Sequence, residues 1–325
     1  MGRAPVKGTG QVARYILRRL GFLLLTLLLT SLVIFVLTQF LPGDVARIML
    51  GREASAAALE RVRVELGLDQ PLPLQYLGWL SSFLSGDWGT SFSSGQAIRP
   101  LVLERLGNSL MLAALTLSIA VPLAVFLGVI AALNENRPLD NLISVGSLAV
   151  VGLPEFVTGL VLIQLLAFEL KLFPANSSIR PEAGFLEALR MLILPALTAT
   201  LVILAYIARL TRATVVEELN KSYVRTAILK GISRRQVIYR HVLGNALLPT
   251  ITVVAISFGW LISGLIVVEN VFNYPGLGSL LTFAIDRRDL PLLQAITMVA
   301  VLAFALSNLA ADLLYAYLNP RIRLQ

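Results

Sequence analysis

Residues 20–41 read LGFLLLTLLLTSLVIFVLTQFL, a run of 22 residues without a single charged side chain. A helix of about 20 mostly apolar residues is long enough to cross the hydrocarbon core of a membrane. The apolar part of a secretory signal sequence is only about 7–15 residues long and leads to small residues at a cleavage site. This run is longer and has no such site at its end, so it predicts a retained membrane-spanning helix.

The composition of the whole chain agrees with a membrane location. Of the 325 residues, 57% are hydrophobic and only 14% are charged, whereas soluble domains carry about 25% charged residues. The net charge is +8, but the basic residues cluster at the ends of apolar runs, and no nucleic-acid-binding pattern accompanies them. The chain has no cysteine, which excludes disulfides, zinc–thiolate sites and thiol catalysis.

Six apolar stretches are long enough to span a membrane. They are continuous rather than alternating, which indicates helices and not barrel strands, and helices satisfy their backbone polar groups within lipid. The sequence therefore predicts an all-α membrane protein with spans near residues 16–41, 108–133, 141–169, 190–210, 248–270 and 292–318.

The distribution of Lys and Arg predicts the orientation of these spans. Basic residues are concentrated in residues 1–15, in residues 211–247 and at the C-terminus, and an even number of spans places all three on one side. Because cytoplasmic loops carry the excess of Lys and Arg, we expect both termini in the cytoplasm. Residues 42–107 then form an extracytoplasmic subdomain of the permease-like unit 16–325, with Trp79 and Trp88 suited to the membrane interface.

The segment from Thr211 to Pro249 is the most informative polar stretch. Ser222 is predicted to cap a short helix from Tyr223 to Lys230, and Gly231 to end it in the left-handed conformation. Ser233 and Gln236 then have the spacing of a capping box that starts a second helix. A two-turn helix needs tertiary support, and this one suits either a groove on another protein or the surface of anionic lipid.

The amino-acid sequence of this segment resembles that of a known protein family. Residues 223–231 (YVRTAILKG), continued through Arg240-His241 and Asn245 to Pro249, look like the coupling loop of binding-protein-dependent ABC importers, in the variant of the dipeptide/oligopeptide/nickel permeases. Arg225-Thr226 stands where the general motif has Glu-Ala. Further matches follow in order at residues 41–44 (LPGD), 67–71 (GLDQP), 86–89 (GDWG), 268–278 (VENVFNYPGLG), 288–291 (RDLP) and 319–321 (NPR).

The resemblance implies the type I ABC importer permease fold, in a bacterial or archaeal cytoplasmic membrane. It implies two ABC ATPase subunits that bind ATP and Mg²⁺, a second homologous permease that forms a heterodimer with this chain, and an extracytoplasmic solute-binding protein. No cofactor is expected in this chain. The residues that it implies for ATPase coupling are Tyr223, Arg225, Thr226, Ala227, Lys230 and Gly231.

Two carboxylates are candidates for the substrate pathway. Glu155 follows Pro154 near the middle of the third apolar stretch, and an acidic side chain at that depth usually faces the bundle interior or a wet cavity. It could meet a cationic substrate group, or bond a neighbouring helix or subunit. Glu269 lies at the end of the fifth stretch, where the resemblance places the mouth of the pathway, and a plain helix-end carboxylate is the alternative.

The predicted function is transport and not catalysis. No phosphate-binding Walker sequence, Gly-x-Ser-x-Gly elbow or His-Glu-x-x-His pair occurs. The resemblance implies import of di- or oligopeptides, and leaves nickel chelates, glutathione and other small solutes open. A self-sufficient secondary transporter predicts inverted repeats and buried ion ligands, and a lipid-modifying enzyme predicts a polar catalytic cluster; neither pattern is evident.

Overall fold

A computed structural model describes residues 9–39, 55–65, 69–178 and 184–318. Several predictions lie outside these ranges: those for the 41–44 motif, for Gly67 and for the 319–321 motif with the basic C-terminus. Within the described ranges the chain is helical, and one isolated bridge, Thr90–Ala97, joins extended residues.

The described elements are thirteen α-helices and two π-helical segments, which extend α6 and α9. In order they are α1 (Thr9–Gln39), α2 (Ala56–Glu65), α3 (Leu72–Ser85), α4 (Ile98–Leu133), α5 (Pro138–Val151), α6 (Glu155–Leu162, extended by Ile163–Glu169), α7 (Phe185–Leu219), α8 (Ser222–Leu229), α9 (Arg234–Val237, extended by Ile238–Val242), α10 (Leu243–Gly264), α11 (Ile266–Val271), α12 (Leu277–Asp286) and α13 (Leu290–Leu318).

The helices confirm six apolar segments but correct the third. Five are single helical segments long and apolar enough to cross a membrane, whereas the third is the pair α5 and α6, bent by 104°. The predicted continuous span over 141–169 is therefore wrong. The break lies at residues 152–154, where Pro154 precedes α6; proline disfavours a helical conformation at the residue before it.

The boundaries of the other spans also differ from the prediction. Helix α4 begins at Ile98 and α7 at Phe185, so both helices extend beyond the predicted spans at 108–133 and 190–210. The fifth span runs from Arg234 through a π-helical segment to Gly264, and Pro249 lies inside it rather than near its start. Hydropathy marks the part of a helix that suits lipid, and the helices continue past it into polar sequence.

The core of the bundle is the crossing of α4 and α7. A side-chain carbon added at Gly128 on α4 would lie 2.6 Å from the backbone oxygen of Ala208 on α7 and 2.7 Å from Cβ of Thr211. Only glycine allows backbones to approach this closely, as in many packed membrane helices. Around this crossing Leu112, Leu194 and Ile207 are fully buried, so α4 and α7 form one rigid unit.

Large apolar side chains cover much of the outer surface. On α1 they include Leu24 at 65% exposure, and on α5 Leu142 at 70%. Apolar exposure of this extent in a chain of such composition fits contact with lipid or with another membrane subunit. Helix α1 is attached to α13 by a buried hydrogen bond of 2.7 Å from Gln294 to Thr38 and by an ion pair of 3.0 Å between Arg19 and Asp312.

The end of the bundle formed by residues 87–97 and the α12–α13 turn is organised by one buried carboxylate. Asp289 accepts hydrogen bonds from the hydroxyl groups of Ser91 (2.6 Å) and Ser93 (2.7 Å) and from the Ser93 amide (3.0 Å). This contact fixes the loop before α4 on the turn before α13. The predicted loop 42–107 thus ends earlier than expected, because its last ten residues form the start of α4.

Candidate functional site

Helix α8 is a short element that follows directly from the end of α7. Among its described residues the one buried side chain is Val224. Val224 packs in a small apolar cluster with Val215 of α7, Ala132 of α4 and Val237 of α9. Ala227 and Tyr223 pack against the same cluster. Because a two-turn helix is marginal by itself, this cluster is what fixes α8 on the bundle.

The C-terminus of α8 confirms the prediction for Gly231. This residue has φ +84°. Its backbone amide donates a hydrogen bond to the carbonyl of Ile228 (2.9 Å), and the backbone amide of Ile232 donates one to the carbonyl of Ala227 (3.2 Å). These two bonds make a Schellman motif, and Ile232 and Ala227 both pack against the same apolar cluster. The helix therefore ends at a defined point, and the chain turns back toward the bundle.

The two predicted N-terminal caps have different outcomes. The Ser233 hydroxyl accepts a hydrogen bond from the Gln236 amide at 3.4 Å, so this cap of α9 is confirmed. The predicted Ser222 cap is wrong: helix α8 already includes Ser222, Lys221 is in the cap position, and no side chain of the described residues caps this end. Its attachment comes from tertiary contacts instead.

A second attachment is made by the buried carboxylate of Glu218, in the last turn of α7. It accepts a hydrogen bond of 2.7 Å from the Tyr223 hydroxyl and an ion-paired bond from Lys221. Partial burial and the neighbouring carboxylate raise the pKa of Tyr223 above its ordinary value. The bond to Glu218 raises the pKa of Lys221. At neutral pH both groups therefore keep the proton that they donate to Glu218.

The opposite face of α8 points away from the bundle. Among the residues that the resemblance implied, Arg225, Thr226, Lys230 and Gly231 are exposed, whereas Tyr223 and Ala227 face inward. The sequence reading missed Leu229, which is 80% exposed. Leu229 adds apolar area to an exposed surface of α8 that also carries Arg225 and Lys230. Its position two residues before Gly231 was the available signal.

Glu155 lies at a break in the bundle rather than inside a continuous span. It is the first residue of α6, immediately after Pro154, and its side chain is half-buried. One turn later, Gly159 packs on Val271 of α11 and Thr198 of α7, at 3.1 and 3.5 Å from the position of an added Cβ. The carboxylate thus lies where the α5–α6 pair changes direction, and its pathway role stays a prediction.

Glu269 is fully buried and bonded within this chain. Its carboxylate accepts a hydrogen bond from the Ser109 hydroxyl of α4 (2.6 Å) and another from the Ser279 amide of α12 (2.9 Å). A Cβ at Gly276 would lie 2.1 Å from one of its oxygens. These contacts give Glu269 a structural role at the start of α12; its proximity to a gate stays a prediction.

The candidate residues therefore separate into two regions. Glu269 is hydrogen-bonded to Ser109 of α4, whereas α8 packs near Ala132, close to the C-terminal end of α4. These positions are 23 residues apart, or roughly 35 Å at the rise of an α-helix. Among the described residues no group of three His, Cys, Asp or Glu side chains could hold a metal ion, and His241 is exposed.

The chain matches two family models. Residues 124–324 match the binding-protein-dependent transport system inner membrane component, and residues 12–113 match the N-terminal region of such membrane components. Similar proteins include the glutathione transport system permease protein GsiC of Escherichia coli strain K12 and of Shigella dysenteriae serotype 1, each 38% identical over 309 residues, which are 95% of this chain and 98% of the relative. GsiC of Salmonella paratyphi A matches to the same extent.

The family match, the apolar helices and the short helix α8 in the matched region agree with one another. The chain is a multi-pass inner-membrane protein, and it belongs to the family of binding-protein-dependent transport system inner membrane components, as a permease subunit of an ABC importer.

Proposed function

We propose that this permease carries short peptides, with glutathione as the first to be tested, and that ATPase subunits bound at α8 drive the transport. The observation that supports this most directly is the geometry of α8: a short helix, held by Glu218 and Val224 and ended at Gly231, with Arg225 and Leu229 exposed. A rigid projection of this kind can transmit a displacement.

The proposed cycle is alternating access driven from outside the chain. ATP and Mg²⁺ are bound by the partner ATPases, since the sequence has no Walker motif. Closure of the ATPases on ATP displaces α8 and opens the pathway outward, and hydrolysis resets it. ATP can bias this equilibrium because the ATPases contact α8 differently in the two states.

The proposed assembly contains a second permease, two ATPases and an extracytoplasmic solute-binding protein. The extensive apolar surface of α1 and α5 provides area for lipid and for the second permease, which we propose to be a different chain. Both termini lie in the cytoplasm in this proposal, as the basic residues near the N-terminus and around α8 indicate.

The substrate class rests on the relatives and on substrate chemistry. The similar proteins are named for glutathione transport, and glutathione is itself a tripeptide. A peptide ammonium group would find a counter-charge at Glu155, which lies half-buried at the break between α5 and α6. Nickel chelates remain the alternative cargo, although the described residues include no metal-binding cluster.

Co-purification and uptake test the proposal together. The tagged chain, extracted from its host in mild detergent, should bring ABC ATPases and a second permease with it. After reconstitution with its binding protein, the complex should accumulate radiolabelled glutathione only when ATP is present, and unlabelled di- and tripeptides should compete. A chain that purifies alone and moves solute without ATP would contradict the proposal. Competition by a nickel chelate and not by peptides would replace the substrate class.

A further inference from the structure

An ion pair between buried Asp140 and partly exposed Arg212 joins α5, the first half of the bent pair, to α7. Both oxygens of the Asp140 carboxylate accept hydrogen bonds from the guanidinium group of Arg212, from Nε at 2.5 Å and from Nη2 at 2.6 Å. Asp140 also accepts from the Asn136 amide (2.9 Å) and the Ser144 hydroxyl (3.2 Å). Its side chain is 1% exposed. The contact is therefore a bidentate Arg–carboxylate pair whose carboxylate also accepts two further hydrogen bonds. Bidentate pairs of this kind are strong and fix the relative geometry of the two side chains.

Most of the remaining side chains of α5 are exposed on the surface of the bundle. Among the described residues, Asp140 and Ser147 are the only buried side chains of α5, while Leu142 and Val145 are 70% and 63% exposed. A cleft of about 200 Å³ separates α5 from α7, lined on the α7 side by Leu201 and Leu204. The ion pair between Asp140 and Arg212 is therefore the main polar attachment of α5 to α7, beside the apolar contacts that line this groove.

Arg212 lies on the helix that holds α8. It precedes Glu218 by six residues, which is roughly 9 Å along α7, and Glu218 bonds to Tyr223 of α8. Between them α7 is unbroken, and Gly128 of α4 packs closely against its Ala208–Thr211 surface. A displacement of α8 thus reaches Arg212 as a movement of the rigid α4–α7 unit.

Helix α5 connects Asp140 to the break between α5 and α6. Helix α5 leads from Asp140 to residues 152–154, and α6 begins there with Glu155. Helix α6 is itself fixed on α7 and α11 at Gly159. The α5–α6 pair is therefore held at one end by an ion pair and at the other by close packing, with the candidate pathway residue between the two attachments.

From this arrangement we infer that Asp140 and Arg212 are positioning residues that couple the movement of α8 to the α5–α6 pair. The inference rests on the proposed function. If the pair is broken, ATPases still bind α8 and hydrolyse ATP, but the α5–α6 pair no longer follows α7 through the cycle. The diagnostic quantity is the amount of solute imported for each ATP hydrolysed, which a purely structural role would leave unchanged in an assembled complex.

The test uses the complete reconstituted importer with Asp140→Asn. We expect ATPase co-purification and hydrolysis near the wild-type level, and a ratio of imported solute to hydrolysed ATP about tenfold lower, in the range of measured allosteric couplings. Arg212→Lys keeps the charge and loses the two-pronged contact, so it should give an intermediate ratio. Asp312→Asn breaks a different interhelical ion pair, with Arg19 of α1, and should keep the wild-type ratio.

An assembled Asp140→Asn complex with the wild-type ratio would overturn the inference. If that variant does not assemble, Arg212→Lys decides: an intermediate ratio supports the coupling role, and a wild-type ratio overturns it. A wild-type complex that shows no ATP-driven uptake contradicts the proposed function itself, whereas a coupled wild type with unaffected variants contradicts only the role of this ion pair.

Discussion

Glu218 and Glu217 are adjacent carboxylates with opposite environments, and this contrast gives a sharp prediction. The Glu218 side chain is 8% exposed and bonds to Tyr223 and Lys221, whereas the Glu217 side chain is 75% exposed and 3.9 Å from Lys221. Glu218→Gln keeps the shape but removes the charge and turns an amide group toward a cationic or hydroxyl donor. We expect α8 to detach from α7 more easily.

The magnitude follows from the bonds that are lost. A hydrogen bond to a charged group contributes about 1.5–3 kcal/mol, against about 0.5–1.5 kcal/mol for a neutral one, so the free energy of opening α8 should fall by about 2 kcal/mol. An exposed ion pair such as that of Glu217 contributes at most about 1 kcal/mol. Glu217→Gln is therefore the matched control, with the same chemistry one residue away.

Hydrogen exchange measures this opening directly. The amides of Lys230, Gly231 and Ile232 are bonded within the C-terminal turn of α8, so they exchange when the helix opens. In the purified chain their exchange should be roughly 30-fold faster in Glu218→Gln, since 1.4 kcal/mol corresponds to about tenfold, and less than about fivefold faster in Glu217→Gln. Equal rates in the two variants would refute the anchoring role of Glu218.

Three further substitutions test other parts of the structure. Gly276→Ala places Cβ 2.1 Å from the Glu269 carboxylate, so thermal unfolding should show a loss of about 3 kcal/mol or more. Gly231→Ala forces an L side chain into φ +84° at about 1–2 kcal/mol, which should weaken ATPase co-purification. Asp289→Ala removes the shared acceptor of Ser91 and Ser93, so proteolysis of that loop should accelerate; Asp286→Ala, at a position whose side chain is exposed, should not change it.

The parts of the fold that depend on local sequence were predictable. Apolar runs predicted the spans, Gly231 predicted the end of α8, and the Ser233–Gln236 spacing predicted the start of α9. The bend at Pro154 was missed because hydropathy records how apolar a segment is and carries no information on its direction. A proline inside an apolar run is compatible with a modest kink or with a complete break.

The tertiary contacts of the site were less accessible to sequence reasoning. Helical spacing predicts an apolar face of Val224, Ala227 and Ile228. Val224 and Ala227 do pack in an apolar cluster of the same chain, whereas Ile228 is 45% exposed, so the prediction was wrong for Ile228. The most exposed large apolar side chain of α8 is Leu229. The hydrogen bond of Glu269 could not be predicted either. Its partner Ser109 is 160 residues away along the chain, and only the folded structure brings the two side chains together.

The central claim is that the exposed face of α8 contacts an ATPase subunit. Because the chain has no cysteine, Leu229→Cys introduces a unique thiol on this face, and Leu84→Cys on α3, where the leucine is 76% exposed, provides an equally exposed control. With a thiol-directed cross-linker in native membranes, the thiol at position 229 should capture an ABC ATPase and the thiol at position 84 should not. Failure of position 229 to capture an ATPase in membranes that carry out ATP-driven uptake would contradict the account.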